Sequence, residues 1–251
     1  MAASSLPGRV PCWVPGPVAS RVAGRVAGRI ADCTAGRLLD LAFPAACAGC
    51  GAEGDVLCAE CLPALRARRG APPGIPLGLP STVPLPLLQL EWCAPYAGVV
   101  RSSLHALKYA GERRLAVPLG VAIAARWAEA GAGGELLVPV PIHAERRRRR
   151  GYDQAVLLAE AAAASLRLPA VVALARARPT RPQFELGRER RAENVAGAFR
   201  VQDASRALVA GRWIVLVDDV ATTGATLVAC AHALLAAGAS GVSACAVARE
   251  A

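Results

Sequence analysis

The segment from Trp213 to Thr226 constrains the fold most, because it joins an apolar run, two carboxylates and a turn of small residues. The run from Trp213 to Val217 is fully apolar and predicts a buried strand. Asp218 and Asp219 follow directly, and the small residues after them lead into a helix predicted over residues 226–237. In open parallel sheets, ligands bind at the carboxyl ends of strands. The segment therefore predicts an α/β domain with a ligand site at the two acids.

Strand and helix patterns also alternate along the rest of the chain from about residue 88. Apolar runs predict strands over residues 88–96, 135–140, 170–174 and 242–247, and helical patterns cover residues 99–109, 113–128 and 152–168. This alternation predicts an α/β fold with a parallel sheet, which we assign to residues 91–251. Residues 1–36 are of low complexity and predict a disordered extension, residues 37–69 predict a small cysteine module, and the prolines of residues 70–90 predict a linker.

The turn after the two acids has the chemistry of a phosphate site. Successive backbone N–H groups at the start of a helix, with the hydroxyls of Thr222, Thr223 and Thr226 beside them, can bind a phosphate monoester. Ionised acids repel phosphate, but they accept hydrogen bonds from the vicinal hydroxyls of a ribose. The simpler interpretation is an Asp-Asp helix cap. A cap rarely needs two acids and three threonines, so we favour a site for 5-phosphoribosyl-1-pyrophosphate (PRPP).

Four of the nine cysteines form two Cys-x-x-Cys pairs, Cys47 with Cys50 and Cys58 with Cys61. Two such pairs can place four thiolates at the corners of a tetrahedron, and sites of this kind are usually structural zinc. A segment of about 30 residues cannot build a stable core alone, so a metal would supply folding free energy. A redox dithiol is the weaker alternative, because no βαβ pattern flanks the pairs, and iron stays open as the metal.

Charge and hydropathy narrow the class of protein further. The formal net charge is +10, nearly all of it from arginine, with Lys108 as the single lysine. This net positive charge raises the local concentration of anionic ligands. The run of five arginines from Arg146 to Arg150 is typical of a solvent-exposed helix face. We predict Arg150 in the site and the others exposed. No apolar run reaches about 18 residues, so we predict no membrane-spanning helix. The odd cysteine count favours a reducing compartment, and we therefore expect a cytoplasmic protein.

Several ordered motifs resemble the ComF family of competence-related proteins from about Arg37 onward. They are the two Cys-x-x-Cys pairs, Leu107-Lys108-Tyr109, Val138 to Pro141, Arg150-Gly151-Tyr152-Asp153-Gln154, Gln183, Arg191-x-x-Asn194, Ala198-Phe199 and the Asp218-Asp219 loop. The resemblance implies a type I phosphoribosyltransferase domain with an N-terminal zinc ribbon. Where the family has asparagine this chain has Asp153, and the role of that residue stays open.

The resemblance also implies a role for each matching residue. Asp218 and Asp219 would hold the ribose hydroxyls and, with Arg150 and Lys108, form the catalytic group. The turn after residues 135–140 would bind pyrophosphate, and residues 178–199, with Gln183, Arg191 and Asn194, would form a flap. The 5′-phosphate would be held by Ala221, Thr222, Thr223, Gly224, Ala225 and Thr226.

Two functions follow from the resemblance and are not exclusive. In the first, the protein binds PRPP with Mg²⁺ and transfers phosphoribose to an unknown nitrogen nucleophile by displacing pyrophosphate, in a role linked to DNA uptake. In the second, it is a non-catalytic protein that handles single-stranded DNA beside a competence helicase, with the zinc ribbon and the arginines as contacts. The segment that would select the acceptor has no distinctive side chains.

Overall fold

The computed structural model describes residues 45–73, 85–130, 133–176 and 197–250. In these ranges the strands are β1 (Ala45–Ala46), β2 (Glu53–Gly54), β3 (Leu90–Pro95), β4 (Leu136–Pro139), β5 (Leu174–Arg176), β6 (Phe199–Val201), β7 (Trp213–Ala221) and β8 (Gly241–Arg249). The α-helices are α1 (Gly98–His105), α2 (Ala116–Glu129), α3 (Ala144–Arg150), α4 (Gln154–Leu166), α5 (Arg206–Val209) and α6 (Ala225–Ala236). A π-helical turn (Ala106–Ala110) extends α1, and short 3₁₀ turns cover Leu62–Arg66, Arg113–Leu115 and Asp203–Ser205.

Four parallel strands form the central sheet, in the order β3-β8-β7-β4. Every residue of β8 is buried, as is most of β7. Near-continuous apolar strands of this kind require cover on both faces, which is the usual condition of a parallel sheet. Two hydrophobic cores provide it, one packed around α1, α2 and α4 and the other around α6 with β6. The predicted α/β fold with a parallel sheet is confirmed.

Small side chains let the helices on one face pack closely. A Cβ atom on Gly120 of α2 would lie 2.5 Å from the Cβ of Ala161 and 2.9 Å from the carbonyl oxygen of Leu158, both in α4. Such a distance is shorter than real Cβ contacts, so glycine is required there. The facing helix supplies alanines, of which Ala155, Ala159 and Ala162 are buried. The alanine-rich composition of the chain therefore has a packing role at this helix pair.

A buried charge cluster links the end of the cysteine module to the sheet. Glu91 of β3 is fully buried, and its Oε2 accepts hydrogen bonds from Nε of Arg126 at 2.9 Å and from its Nη2 at 2.6 Å. The Nη2 of Arg68 lies 3.8 Å from the same oxygen, and its guanidinium stacks 3.8 Å from the centroid of the Trp92 ring. Arg126 also donates to the carbonyl oxygens of Arg68 and Ala71. Charges paired in this way fix residues 68–72 against β3 and α2.

Two of the predicted strands differ from the observed ones. The strand expected over residues 170–174 does not form as such: Ala170 makes a single parallel bridge with Leu137, and β5 begins only at Leu174, where it pairs antiparallel with β6. Strand β7 runs past its predicted end at Val217 to Ala221, because its pairing with β8 continues through Asp218. The predicted extension over residues 1–36 and residues 74–84 of the predicted linker lie outside the described residues. Within the described ranges, no helix has the length and apolar character needed to cross a membrane.

Candidate functional site

A cavity of about 300 Å³ opens at the carboxyl ends of β4 and β7, where the sequence predicts a ligand site. Its walls come from segments far apart in the chain: the π-helical turn, the loop after β4 with α3, the first turn of α4, the end of β5, and the connection from β7 to α6. The lining includes both acids and four of the basic residues, which are Lys108, Arg146, Arg150 and Arg176. A pocket with two adjacent acids and several cations suits a ligand that carries both hydroxyl groups and phosphates.

Asp219 is the more constrained of the two acids. It is buried, its Oδ1 lies 3.0 Å from Nζ of Lys108, and its Oδ2 accepts a hydrogen bond from Nε2 of Gln154 at 2.8 Å. Gln154 is itself held by Arg150, whose Nη1 donates to Oε1 at 2.7 Å. Burial acts to lower the pKa of Lys108, but the adjacent Asp219 carboxylate raises it overall, so the lysine stays charged. The predicted residues Lys108, Arg150 and Asp219 therefore form one connected group through Gln154.

Asp218 has a different environment although it is adjacent in sequence. Its side chain is half-buried at the cavity wall, and its Oδ1 accepts a hydrogen bond from the backbone N–H of Asp219 at 2.8 Å. Burial raises the pKa of the Asp218 carboxyl to about 8, and the neighbouring Asp219 carboxylate adds to this. Asp218 is thus poised to bind a group that compensates its charge, such as a cation or a hydroxyl donor.

The turn between β7 and α6 places small residues against the cavity. Ala221, Thr222, Gly224 and Thr226 line it, and Gly224 has the positive φ of 79° that favours glycine. Thr223 supports the turn itself, since its Oγ1 accepts a hydrogen bond from the backbone N–H of Ala225 at 3.4 Å. Helix α6 begins at Ala225, so its N-terminus, the positive end of the helix dipole, lies at this end of the cavity.

The loop after β4 forms another wall of the cavity, and the family resemblance implies that this loop binds pyrophosphate. Val140, Pro141, Ile142 and His143 line the cavity there, and α3 follows directly. Arg146 is exposed, as predicted, and it also lines the cavity. The arginine run forms helix α3, with its residues from Arg146 to Arg149 exposed and Arg150 half-buried.

Sequence reasoning assigned no role to several cavity residues, among them Arg176 and Gln154. Arg176 reaches the cavity from β5, where its Nε donates to the carbonyl oxygen of Pro141 at 3.1 Å and its guanidinium lies 4.9 Å from the centroid of the Phe199 ring. Burial lowers the pKa of Arg176. Gln154 belongs to the motif from Arg150 to Gln154, but the spacing of residues in that motif does not predict its contact with Asp219.

The role of Asp153 is resolved by its position before α4. Its Oδ1 accepts hydrogen bonds from the backbone N–H groups of Ala155 and Val156 at 3.0 and 3.4 Å, so it is the N-cap of the helix. Aspartate is among the preferred residues at this position. The cap fixes the first turn of α4, and with it Gln154. The predicted flap residues Gln183, Arg191 and Asn194 lie outside the described residues.

The four cysteines of the two Cys-x-x-Cys pairs form a candidate metal centre at the β1–β2 hairpin. The Sγ atoms of Cys47, Cys50, Cys58 and Cys61 all lie within 4.8 Å of one another. A tetrahedral zinc ion with Zn–S bonds of about 2.3 Å needs sulfurs about 3.8 Å apart, so the set fits a single ion. Burial acts to raise the pKa of Cys47, but backbone N–H donors including those of Cys58 and Gly49 outweigh it, and the net pKa is about 6. These cysteines could therefore hold a metal.

Comparison with known proteins identifies the type of domain and its relatives. The phosphoribosyl transferase domain family matches residues 153–251. The chain is similar to the DNA utilization protein YhgH of Escherichia coli K12, with 32% identity over 193 residues that cover 74% of this chain and 81% of that protein. It is also similar to Competence protein F of Haemophilus influenzae, with 37% identity over 94 residues, or 37% of this chain and 41% of that protein.

Among solved structures, a similar one is the glutamine PRPP amidotransferase of B. subtilis, complexed with ADP and GMP. Its TM-score is 0.39 at 20% identity, and the match covers 58% of this chain and 30% of the amidotransferase.

Proposed function

The chain belongs to the ComF family and carries a phosphoribosyltransferase-type domain, and on that premise we propose that its cavity binds PRPP together with Mg²⁺. The observation that carries this proposal is the pair of acids near the end of β7, after which a turn of small residues leads to the start of α6. Carboxylates and helix-terminal N–H groups in that order match the two ends of a ribose 5-phosphate.

Each wall of the cavity has a corresponding part of this ligand. Asp218 and Asp219 would accept hydrogen bonds from the ribose hydroxyls. The turn from Ala221 to Thr226 would hold the 5′-phosphate on backbone N–H groups and threonine hydroxyls. The loop after β4, with Arg150 and Arg176 beside it, would face the diphosphate, because guanidinium groups bind phosphate oxygens in bidentate geometry.

The residues present suit both metals that the family resemblance implies, Mg²⁺ and zinc. Mg²⁺ prefers oxygen ligands and is usually held by one or two carboxylates together with substrate phosphates, which Asp218 and the diphosphate would supply. When bound, it would neutralise charge on the departing diphosphate. We propose zinc for the four cysteines, because an all-thiolate tetrahedral set is typical of structural zinc.

The reaction we propose is transfer of phosphoribose to a nitrogen nucleophile. The nitrogen lone pair forms a bond to the anomeric carbon, the bond from that carbon to the diphosphate oxygen breaks, and pyrophosphate leaves with the electron pair. The nitrogen then releases its proton to solvent. The chain's contribution is to orient the sugar on the acids and to stabilise the leaving diphosphate with arginines.

Calorimetry on the full chain tests the binding proposal. We expect PRPP with Mg²⁺ to bind with a Kd on the order of micromolar, about −8 kcal/mol, and the Asp218→Asn/Asp219→Asn variant to show no binding. Arg148→Ala, an exposed change on α3, serves as the control that retains it. Absence of binding by the zinc-replete wild type would reject the site assignment.

A second candidate function is contact with single-stranded DNA. It is favoured by the exposed arginines of α3, which lie beside the cavity in a chain of net charge +10. Arginines of this kind bind phosphate backbones without sequence preference. The relatives named for DNA utilization and competence agree with such a role. A mobility-shift assay with a short single-stranded oligonucleotide at low salt tests it, and absence of a shift removes this candidate.

A further inference from the structure

Tyr152 lies in the short connection between α3 and α4 and is not among the described residues that line the cavity. Its ring is half-buried and packs against the core around α1, α2 and α4, and the guanidinium of Arg113 lies 4.5 Å from the ring centroid. Its hydroxyl donates a hydrogen bond to the backbone carbonyl oxygen of Leu107, 45 residues earlier in the chain. The ring therefore serves packing, while the hydroxyl makes a separate and directed contact.

The carbonyl that accepts this bond belongs to the residue before Lys108. Leu107 is fully buried in the π-helical turn, so the hydroxyl of Tyr152 ties that turn to the connection between α3 and α4. The Nζ atom of Lys108 lies 3.0 Å from Oδ1 of Asp219. A lysine ammonium is carried on a flexible four-carbon stem, so its position depends on how the backbone at its base is held.

The same connection also reaches the other oxygen of Asp219. Gln154, two residues after Tyr152, donates from Nε2 to Oδ2 of Asp219 at 2.8 Å. The contacts therefore form a closed loop that runs from Tyr152 through Leu107, Lys108, Asp219 and Gln154 and back along the backbone. Members of a connected polar network support one another, so the loss of one contact loosens the rest.

We infer that Tyr152 is a positioning residue whose hydroxyl holds the ammonium of Lys108 against Asp219 and so sets the charge that the cavity presents to its ligand. The inference rests on the proposed function, because the ligand concerned is PRPP with Mg²⁺. Without the hydroxyl, the ammonium can move away from Asp219, and an uncompensated carboxylate then lies beside Asp218. A ligand rich in phosphate is repelled by such a site, although every group that contacts it is unchanged.

The simpler interpretation is a hydroxyl that contributes to fold stability alone, and Ser103 of α1 offers the comparison. Its side chain is buried, and its Oγ donates to the backbone carbonyl oxygen of Val99 at 2.8 Å. That bond joins two residues of one helix and does not belong to the loop around Asp219. Ser103→Ala is therefore the matched control, because it removes a bond of the same kind and leaves the loop closed.

The sequence makes the position of Lys108 directly measurable, because Lys108 is the only lysine of the chain. Acetylation of the full chain by acetic anhydride is followed by mass spectrometry of the peptide that contains Lys108, with a free lysine peptide as the reference in the same sample. We expect acetylation at least about threefold faster in Tyr152→Phe, which keeps the ring, because pairing with a carboxylate favours the unreactive charged amine. Ser103→Ala should react at the wild-type rate.

Calorimetry of PRPP with Mg²⁺ is run on the same preparations. We expect a Kd at least about threefold higher for Tyr152→Phe, because the uncompensated carboxylate repels the phosphates, and an unchanged Kd for Ser103→Ala. Thermal unfolding of both variants shows how much each bond contributes to stability.

Each outcome decides a separate point. Acetylation of Tyr152→Phe at the wild-type rate overturns the inference, and so does an equal increase in Ser103→Ala, since that would reflect general loosening of α1. Faster acetylation with unchanged PRPP affinity overturns the link to the ligand. If the wild type does not bind PRPP but its acetylation depends on Tyr152, the proposed function fails and the positioning of Lys108 stands. PRPP binding with no dependence of acetylation on Tyr152 gives the reverse result.

Discussion

At the scale of single residues, the two adjacent acids have divided roles. Both oxygens of Asp219 already have partners, Lys108 and Gln154, so its charge is compensated before any ligand arrives. Asp218 has its N–H contact from Asp219 but remains at the cavity wall, and burial raises its pKa to about 8. A functional site that keeps one poorly compensated acid is expected to lower the stability of the fold.

We predict that Asp218→Asn stabilises the protein, by an amount that grows with pH. The folded pKa of Asp218 is raised to about 8 from an ordinary value of 3.8, so between these values the folded state keeps a proton that the unfolded chain has released. Stability contributed by this group therefore falls as pH rises through that window, and asparagine removes the loss. Thermal unfolding should show a gain of a few degrees at pH 7 and a smaller one at pH 4.

Asp203→Asn is the control for this measurement, since the side chain of Asp203 is 87% exposed and pairs with Arg206 at the surface. Its effect should be small at both pH values. A gain for Asp218→Asn that is the same at pH 4 and pH 7 would contradict the assignment of a raised pKa.

At the scale of elements, the cysteine module and the sheet are joined by the buried cluster around Glu91. We predict that Glu91→Gln lowers the free energy of unfolding by about 3–5 kcal/mol, because it leaves the charges of Arg68 and Arg126 buried without their carboxylate. Urea denaturation measures the change. The matched control is Glu129→Gln, whose partner Arg69 is 71% exposed. That surface pair is expected to contribute less than about 1 kcal/mol, and similar losses for both variants would contradict a special role for Glu91.

The proposed metal centre depends on Gly49, which lies between Cys47 and Cys50 of the first Cys-x-x-Cys pair. A Cβ atom there would be 2.7 Å from the Sγ of Cys61, so alanine must displace this sulfur, which we propose as a metal ligand. We predict that the wild type contains one zinc ion per chain and that Gly49→Ala loses most of it and unfolds at a lower temperature. Elemental analysis and thermal unfolding measure the two effects. Ala59→Ser, an exposed change between the second pair, should keep its zinc, and wild-type protein without metal would reject the proposed centre.

Local patterns predict the elements well, and they fail where distant segments meet. The runs that form β3, β4, β7 and β8 were visible as apolar stretches, and the acids were expected where they are found. The end of β7 was wrong by four residues, because it is set by pairing with β8 and not by the apolar run. The buried charges of Glu91 and Arg126 were missed, since an ion pair between residues 35 positions apart leaves no local signal. Asp153 shows the opposite case, where helix capping explains a residue that the family pattern left open.

At the scale of the whole molecule, the parallel sheet brings residues from distant parts of the sequence to one cavity. Lys108, Gln154 and Asp219 are distant in sequence, yet β4 and β7 pair in parallel and so present their carboxyl ends on one side. The same side carries α3, whose exposed arginines continue the positive charge of the cavity outward. A ligand bound in the cavity and a phosphate backbone outside it would therefore experience one continuous field.

The last prediction concerns this field. If α3 contacts single-stranded DNA, the logarithm of the binding constant should fall linearly with the logarithm of salt concentration, with a slope of about −0.7 for each phosphate neutralised. Replacing the three arginines from Arg147 to Arg149 with glutamine should reduce the magnitude of that slope by about 2. Fluorescence anisotropy across a salt series measures it. A control that removes the same net charge from exposed arginines elsewhere, namely Arg101, Arg167 and Arg200, should leave the slope nearly unchanged. Equal reductions in both variants would mean that net charge alone attracts the strand, and that α3 is not its contact surface.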